Sequence, residues 1–127
     1  MNVDYSSFGL RDKIAIVTGP SQGIGRAIAI GLAQAGAHLV LAKHPTGRQD
    51  EIKQVQSEIE RMDRKALVVR TDVSEAAQVR AMVDQARETF GRVDILVNNA
   101  GWTGNSLALD VTEELEPVLT ILPPAES

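Results

Sequence analysis

Four short, mainly apolar runs recur along the chain, at residues 14–17, 37–42, 66–69 and 93–97. Short β-branched and aliphatic runs of this kind read as strands buried on both faces, as parallel strands are. Between them the apolar residues recur every three or four positions, which predicts helices near residues 24–35, 47–63 and 75–90. In the first helix Ile24, Ile28 and Leu32 fall on one stripe, and Gly23, Ala27 and Gly31 form a second stripe of small residues. Small residues let a helix sit close on a sheet. In the second helix Ile52, Val55, Ile59 and Met62 make the buried stripe, with Lys53, Glu60 and Arg64 on a solvated face. In the third, Val79, Met82, Val83, Ala86 and Phe90 are the apolar positions, and Met82 and Phe90 read as core rather than as cofactor contacts.

The punctuation agrees with these boundaries. Gly36 and Gly91 stand where helix C-termini expect glycine. Thr46 with Gln49 three residues later predicts a capping box for the second helix, and Ser74 is placed to cap the third. Residues 1–10 read as a polar lead-in. After residue 102 the pattern weakens. Thr112 can start a short helix with Glu113 and Glu114 in its first turn, but Pro117 inside it costs about 3 kcal/mol. Leu122-Pro123-Pro124 then stops regular structure. Residues 1–114 are expected to form one nucleotide-binding domain, and residues 115–127 a divergent tail.

Strands alternating with helices predict an α/β protein with a doubly wound parallel sheet. About four strands are expected, in order 3-2-1-4. Right-handed crossovers then place the first two helices on one face and the third on the other. Strand order reverses between strands one and four, and a ligand crevice opens there beyond the carboxyl ends of the strands. Four stretches follow strand ends on that edge: the glycine turn after residue 17, Lys43, Asp72 and Asn99.

The glycine turn is Thr18-Gly19-Pro20-Ser21-Gln22-Gly23-Ile24-Gly25. A strand, a glycine turn and a helix present free backbone N–H groups and the positive end of a helix dipole, which together favour a phosphate. A tight strand–helix turn with no ligand is the plain alternative.

Composition narrows the chemistry. The 127 residues carry a net charge of −4, so nothing favours nucleic acid. There is no cysteine, which excludes disulfides, a thiol nucleophile and thiolate metal sites, and two histidines, His38 and His44, make a poor metal set. The lead-in contains Asp4, Arg11 and Asp12 and does not resemble a secretory signal. No apolar run is long enough to span a bilayer. The expectation is a cytoplasmic protein that binds neither nucleic acid nor membrane.

Taken together, Thr18-Gly19-x-x-x-Gly23-x-Gly25, Asp72-Val73 and Asn98-Asn99-Ala100-Gly101 resemble the short-chain dehydrogenase/reductase family, over roughly residues 10–114. Acyl-carrier-protein 3-oxoacyl reductases and sugar (glucose) dehydrogenases are the members it looks most like. The resemblance implies a Rossmann-like fold, an NAD(P)-dependent oxidoreductase and a set of cofactor-binding residues. Gly19, Ser21, Gln22, Gly23, Ile24 and Gly25 would cradle the dinucleotide. Asp72 would hold the adenine amino group, with Val73 beside the ring, although a helix-capping role suits Asp72 too. Asn99, Ala100 and Gly101 would lie along the nicotinamide-side ribose. Asn98 reads instead as a side chain tying neighbouring strands.

Members that use NAD often place an acid after strand two to accept from the ribose 2′-OH. Here Lys43 and His44 stand there. A cation suits a 2′-phosphate, which favours NADP over NAD; a solvated loop lysine is the alternative.

The family's Ser and Tyr-x-x-x-Lys catalytic set is absent: the only tyrosine is Tyr5, ahead of the first strand. No catalytic residue and no metal ligand is assigned. The chain therefore reads as the N-terminal, cofactor-binding half of such an enzyme, truncated and not competent alone. A non-enzymatic cofactor-binding or subunit-interaction module is the alternative, and a methyltransferase with a related sheet fits the motifs poorly. Strand four is expected to be an exposed edge that invites homo-oligomers, through that edge or through helix faces.

Overall fold

The computed structural model describes residues 9–21, 23–46, 49–99 and 118–121. Strands β1 (Ile14–Thr18), β2 (His38–Lys43), β3 (Ala66–Arg70) and β4 (Ile95–Asn98) alternate with helices α1 (Gly23–Gln34), α2 (Gln49–Arg61) and α3 (Ala76–Phe90). A fifth strand, β5 (Val118–Ile121), follows. The sheet order is β3-β2-β1-β4-β5, and β1 pairs in parallel with both β2 and β4. The four-strand parallel sheet in order 3-2-1-4 is thus the one the sequence predicts. Strands two and four begin one and two residues later than the apolar runs suggest.

The sheet divides the core into two layers. Ala15, Val17, Leu39, Leu41, Ile95 and Val97 face α1 and α2, meeting Ala29 and Ala33 of the first and Ile52, Val55 and Ile59 of the second. The alternate residues Ile14, Ile16, Val40, Ala42, Val69 and Leu96 face α3, meeting Val79, Met82, Val83 and Ala86. The first two helices share one face and the third covers the other, as right-handed crossovers require.

Four local expectations are corrected. First, α1 buries Gly25, Ala29 and Ala33. Ile24 is 63% exposed, and Gly31 has nothing within 4 Å of where a Cβ would stand. Ile28 and Leu32 pack only partly, at the margins of the layer. Helix-to-sheet approach here runs along the Gly25-Ala29-Ala33 seam, and the larger residues flank it. Second, Thr46 is not part of a capping box: its N–H and hydroxyl both turn back to Nδ1 of His44, at 3.2 and 2.9 Å. Third, Ser74 does not cap α3. The N-cap is Glu75, which makes no side-chain cap bond, and the Ser74 hydroxyl donates to Asp72 Oδ1 at 2.6 Å.

Fourth, β4 is not an edge. β5 pairs with it antiparallel, in the register Ile95↔Ile121, Leu96↔Thr120, Val97↔Leu119 and Asn98↔Val118. Four residues of Val-Leu-Thr-Ile are a short β-prone run, and an open sheet edge is the favourable place for one. The helix expected after Thr112 lies outside the described residues.

Candidate functional site

β1 delivers the chain to the carboxyl edge at Thr18, and the turn that follows is left-handed at Gly19 (φ 63°) and again at Gly23 (φ 60°). Glycine adopts that conformation without steric cost. The turn opens directly into α1, whose first turn carries no acidic residue, so its N-terminal N–H groups face no anion of their own.

Gly25 is where the local fold has no latitude. A Cβ there would lie 1.9 Å from the carbonyl oxygen of Gly19 and 2.3 Å from Nδ2 of Asn99. The reason is a junction between the turn and the end of β4. Asn99 Nδ2 donates to the Gly19 carbonyl at 3.1 Å, and the Asn99 N–H donates to Thr18 Oγ1 at 2.8 Å. Thr18 Oγ1 in turn donates to Asn98 Oδ1 at 3.0 Å. Thr18 and Asn98 are both buried. Asn98 therefore ties β4 to β1, the structural role its position suggests. Thr18, the first residue of the glycine motif, is the hub of this network, a role the motif does not itself assign; a hydroxyl closing an otherwise apolar buried strand is the signal that marks it.

The second part of the site lies across the ends of β2 and β3. Lys43 ends β2 and is 3% exposed. Its ammonium donates to the carbonyls of His44 (2.8 Å) and Thr46 (3.0 Å) and so holds its own outgoing loop. The solvated loop lysine offered as the alternative does not match this buried placement. The more exposed basic group is His44, whose Nε2 lies 4.0 Å from Asp72 Oδ1. Asp72 Oδ1 also accepts from the N–H of Ser74, at 3.0 Å, while the Asp72 N–H donates to Gln78 Oε1 at 2.8 Å. The Ser74 hydroxyl and N–H hold the Asp72 carboxyl below its ordinary range; burial opposes them and the charge of His44 adds a smaller contribution. Val73 is buried in the α3 layer, with Val69 and Val79.

The structure thus brings Gly19, Gly25 and Asn99 into one contact, and His44 and Asp72 into another. Ser21, Gly23 and Ile24 lie along the turn and the start of α1. Gln22, Ala100 and Gly101 lie outside the described residues. Among the described residues no cluster of His, Cys, Asp or Glu could hold a metal ion. No helix among them is long and apolar enough to cross a membrane.

A glycine turn between the first strand and first helix, at the point where strand order reverses, is the arrangement by which doubly wound α/β proteins hold dinucleotides. The chain belongs to the short chain dehydrogenase family, whose sequence pattern it matches over residues 13–119. It is similar to the short-chain dehydrogenase/reductase FrzI of a Cladobotryum species, with 42% identity over 105 residues, covering 83% of this chain and 40% of that protein. Its structure is similar to that of a hydroxysteroid dehydrogenase from Escherichia coli, with TM-score 0.67 and 39% identity, covering 81% of this chain and 42% of that one. It also shares its fold with a carveol dehydrogenase from Mycobacterium avium in complex with NAD, at TM-score 0.67 and 24% identity, covering 83% and 42%. The chain spans about 40% of the length of the relatives it matches.

Proposed function

We propose that this chain is the cofactor-binding part of an NAD(P)-dependent short-chain oxidoreductase acting on an alcohol or carbonyl. The observation that carries this is the Gly19–Gly25–Asn99 junction. It holds a backbone turn, open at a helix N-terminus, rigidly against the end of β4. Bound there, a nicotinamide dinucleotide supplies hydride. The chain's own residues would seat the pyrophosphate on the turn from Gly19 to Gly25, with Ser21, Gln22 and Ile24 beside it. Asp72, its carboxyl held by the Ser74 hydroxyl and N–H, would accept from the adenine amino group, and Asn99, with Ala100 and Gly101 after it in the sequence, would serve the far ribose.

NADP is the preferred cofactor. No acid follows β2 to repel a 2′-phosphate, and the residues there are His44, Pro45 and Thr46. Because the Lys43 ammonium is buried on loop carbonyls, His44→Asp is the informative change, and Lys43→Asp would mainly disrupt the loop. Placing a carboxylate beside the phosphate should weaken NADPH relative to NADH by roughly tenfold, or about 1.4 kcal/mol. An unchanged ratio removes this loop from cofactor choice.

The chain alone should bind without turnover. A carbonyl accepting hydride needs a proton donor at its oxygen, a contribution typically worth about 10²–10⁴-fold. The sequence holds no Tyr-x-x-x-Lys to provide one. Titrating NADPH while following Trp102 emission, then adding ketones and sugars while following NADPH absorbance, tests both halves. A fluorescence change without turnover is expected. Steady turnover proportional to the concentration of the purified chain would overturn the second half; absence of saturable binding would overturn the first. The protein is also proposed to self-associate, through the open side of β5 rather than through β4.

A further inference from the structure

Two consecutive basic residues, Lys43 and His44, leave the end of β2 and differ in what they can offer a ligand. Lys43 is buried, and its ammonium is occupied by the carbonyls of His44 and Thr46. His44 has 55% of its side chain exposed. Histidine changes charge between about pH 5 and pH 8, where lysine stays charged. Of the two, only His44 can turn a positive charge outward, and only when its ring carries a second proton.

The loop is built to hold that ring in either state. Nδ1 accepts the Thr46 N–H at 3.2 Å and lies 2.9 Å from Thr46 Oγ1. A ring nitrogen that accepts carries no proton, so the neutral ring has its proton on Nε2. When a second proton arrives at Nδ1, the Thr46 hydroxyl can turn from donor to acceptor, because a hydroxyl serves both ways. The ring keeps an anchor and gives up only the bond from the Thr46 N–H.

On its other side Nε2 faces Asp72 Oδ1 at 4.0 Å, too long for a hydrogen bond and short enough for two charges to interact. The other charged groups near this edge are the Lys43 ammonium on the His44 carbonyl, Arg70 in register with Lys43, and Asp50 and Glu51 in the first turn of α2. Among the described residues Asp72 is the one that pairs with the ring. It also fixes the sign of the effect. The Ser74 hydroxyl and N–H hold its carboxyl below the usual range, so it is ionised wherever His44 titrates. Beside a neutral ring that charge repels a second anion; beside a protonated ring it is offset. A 2′-phosphate on the adenosine ribose gains from the proton, and an uncharged 2′-hydroxyl does not.

We propose that protonation of His44 sets how strongly the crevice distinguishes a 2′-phosphorylated dinucleotide from its unphosphorylated form, so that the preference for NADP over NAD rises as pH falls. This rests on the reading that the crevice seats a dinucleotide, and not on which form is preferred at neutral pH. By linkage, the bound phosphate must in return hold the proton on the ring.

The test uses the whole chain and the acid-stable oxidised cofactors. Dissociation constants for NADP⁺ and NAD⁺ are measured by calorimetry at about pH 8 and about pH 6.5, above the last ionisation of the phosphate at about pH 6. The NAD⁺-to-NADP⁺ ratio of dissociation constants should rise roughly three- to fivefold at the lower pH. In His44→Gln, which keeps an acceptor for the Thr46 N–H, the ratio should be flat. Ring-proton NMR supplies a second readout. NADP⁺ should move the titration midpoint of His44 upward and NAD⁺ should leave it in place, while His38, at the opposite end of β2, responds to neither. If His44→Gln fails to fold, the ring titration decides alone. A flat ratio in the parent, a pH effect that survives His44→Gln, an unmoved His44 midpoint or an equal movement of His38 would each overturn the proposal and leave the cofactor reading standing. Absence of saturable binding by either dinucleotide would overturn both.

Discussion

Gly25 and Asp94 show how two residues fix the two ends of β1. A methyl at position 25 has no direction to yield, because the atom it meets first is the backbone oxygen of Gly19. Gly25→Ala should therefore destabilise by about 1–3 kcal/mol and abolish dinucleotide binding. Urea unfolding and a cofactor titration on the same sample measure the two effects, and a variant of unchanged stability would show that the turn is more pliant than this geometry. Asp94 works at the other end of β1. Its Oδ2 accepts the Ile14 N–H at 2.8 Å, and both carboxylate oxygens accept from Arg92 Nε. Burial pushes the Asp94 carboxyl up, but the bonds from Arg92 and Ile14 and the nearby positive charges outweigh it, so the net displacement is downward. A folded-state pKa below the unfolded one gives stability that is fully present above the unfolded value, near 3.9, and is lost as pH falls through the folded one. Asp94→Asn should cost about 1–2 kcal/mol at pH 7 and flatten the acid limb of stability against pH. An acid limb identical to that of the parent would assign that limb to other carboxylates.

At the scale of elements, α1 is where periodicity and packing part company. Three stripes of residues run along it, and the sheet takes the small-residue stripe Gly25-Ala29-Ala33 rather than the large Ile24-Ile28-Leu32 or the equally small Gly23-Ala27-Gly31. Ala29→Leu, at a position with no exposed surface, should cost about 1–3 kcal/mol, whereas Ile24→Ser should change stability by less than about 0.5 kcal/mol and act only on cofactor affinity. Thermal unfolding of the pair tests the assignment; equal losses would return Ile24 to the core. Much of the rest was legible. Of the predicted stripe Ile52-Val55-Ile59-Met62, the first three line the inward face of α2, because on that helix the apolar residues are also the large ones and nothing competes with them, while Met62 falls just past the end of the helix and packs only partly. The caps at Thr46 and Ser74 were misread for one reason. Each hydroxyl has a stronger local partner, His44 Nδ1 in one case and the Asp72 carboxylate in the other, and both partners are visible only once the loops are closed. The same holds in the site. The spacing placed Lys43 at a strand end, but only three dimensions show its ammonium turned onto loop carbonyls.

For the molecule as a whole, the question is where the sheet stops. One margin is β3, whose Ala66 carbonyl is already taken by Gln56 and whose last residue is the exposed Arg70, features that discourage pairing. Among the described residues the other margin is β5, which lies on β4 and carries no charged residue. Open, uncharged edges pair with copies of themselves, and an antiparallel β5–β5 contact satisfies two-fold symmetry. In an antiparallel strand both backbone groups of one residue point to one neighbour, and those of the next residue point to the other. Of Leu119 and Thr120, one therefore bonds to β4 and the other faces the open side. Proline at each position separates the two roles, since it removes the N–H wherever it stands. One of Leu119→Pro and Thr120→Pro should lose a ladder bond worth about 1 kcal/mol, detach β5 and re-expose β4, so that self-association persists or grows. The other should keep the fold and lower self-association. Sedimentation velocity over a range of concentrations, read beside urea unfolding, gives both quantities. If the two variants associate alike, and like the parent, the contact between copies lies on a helix face and not on this edge.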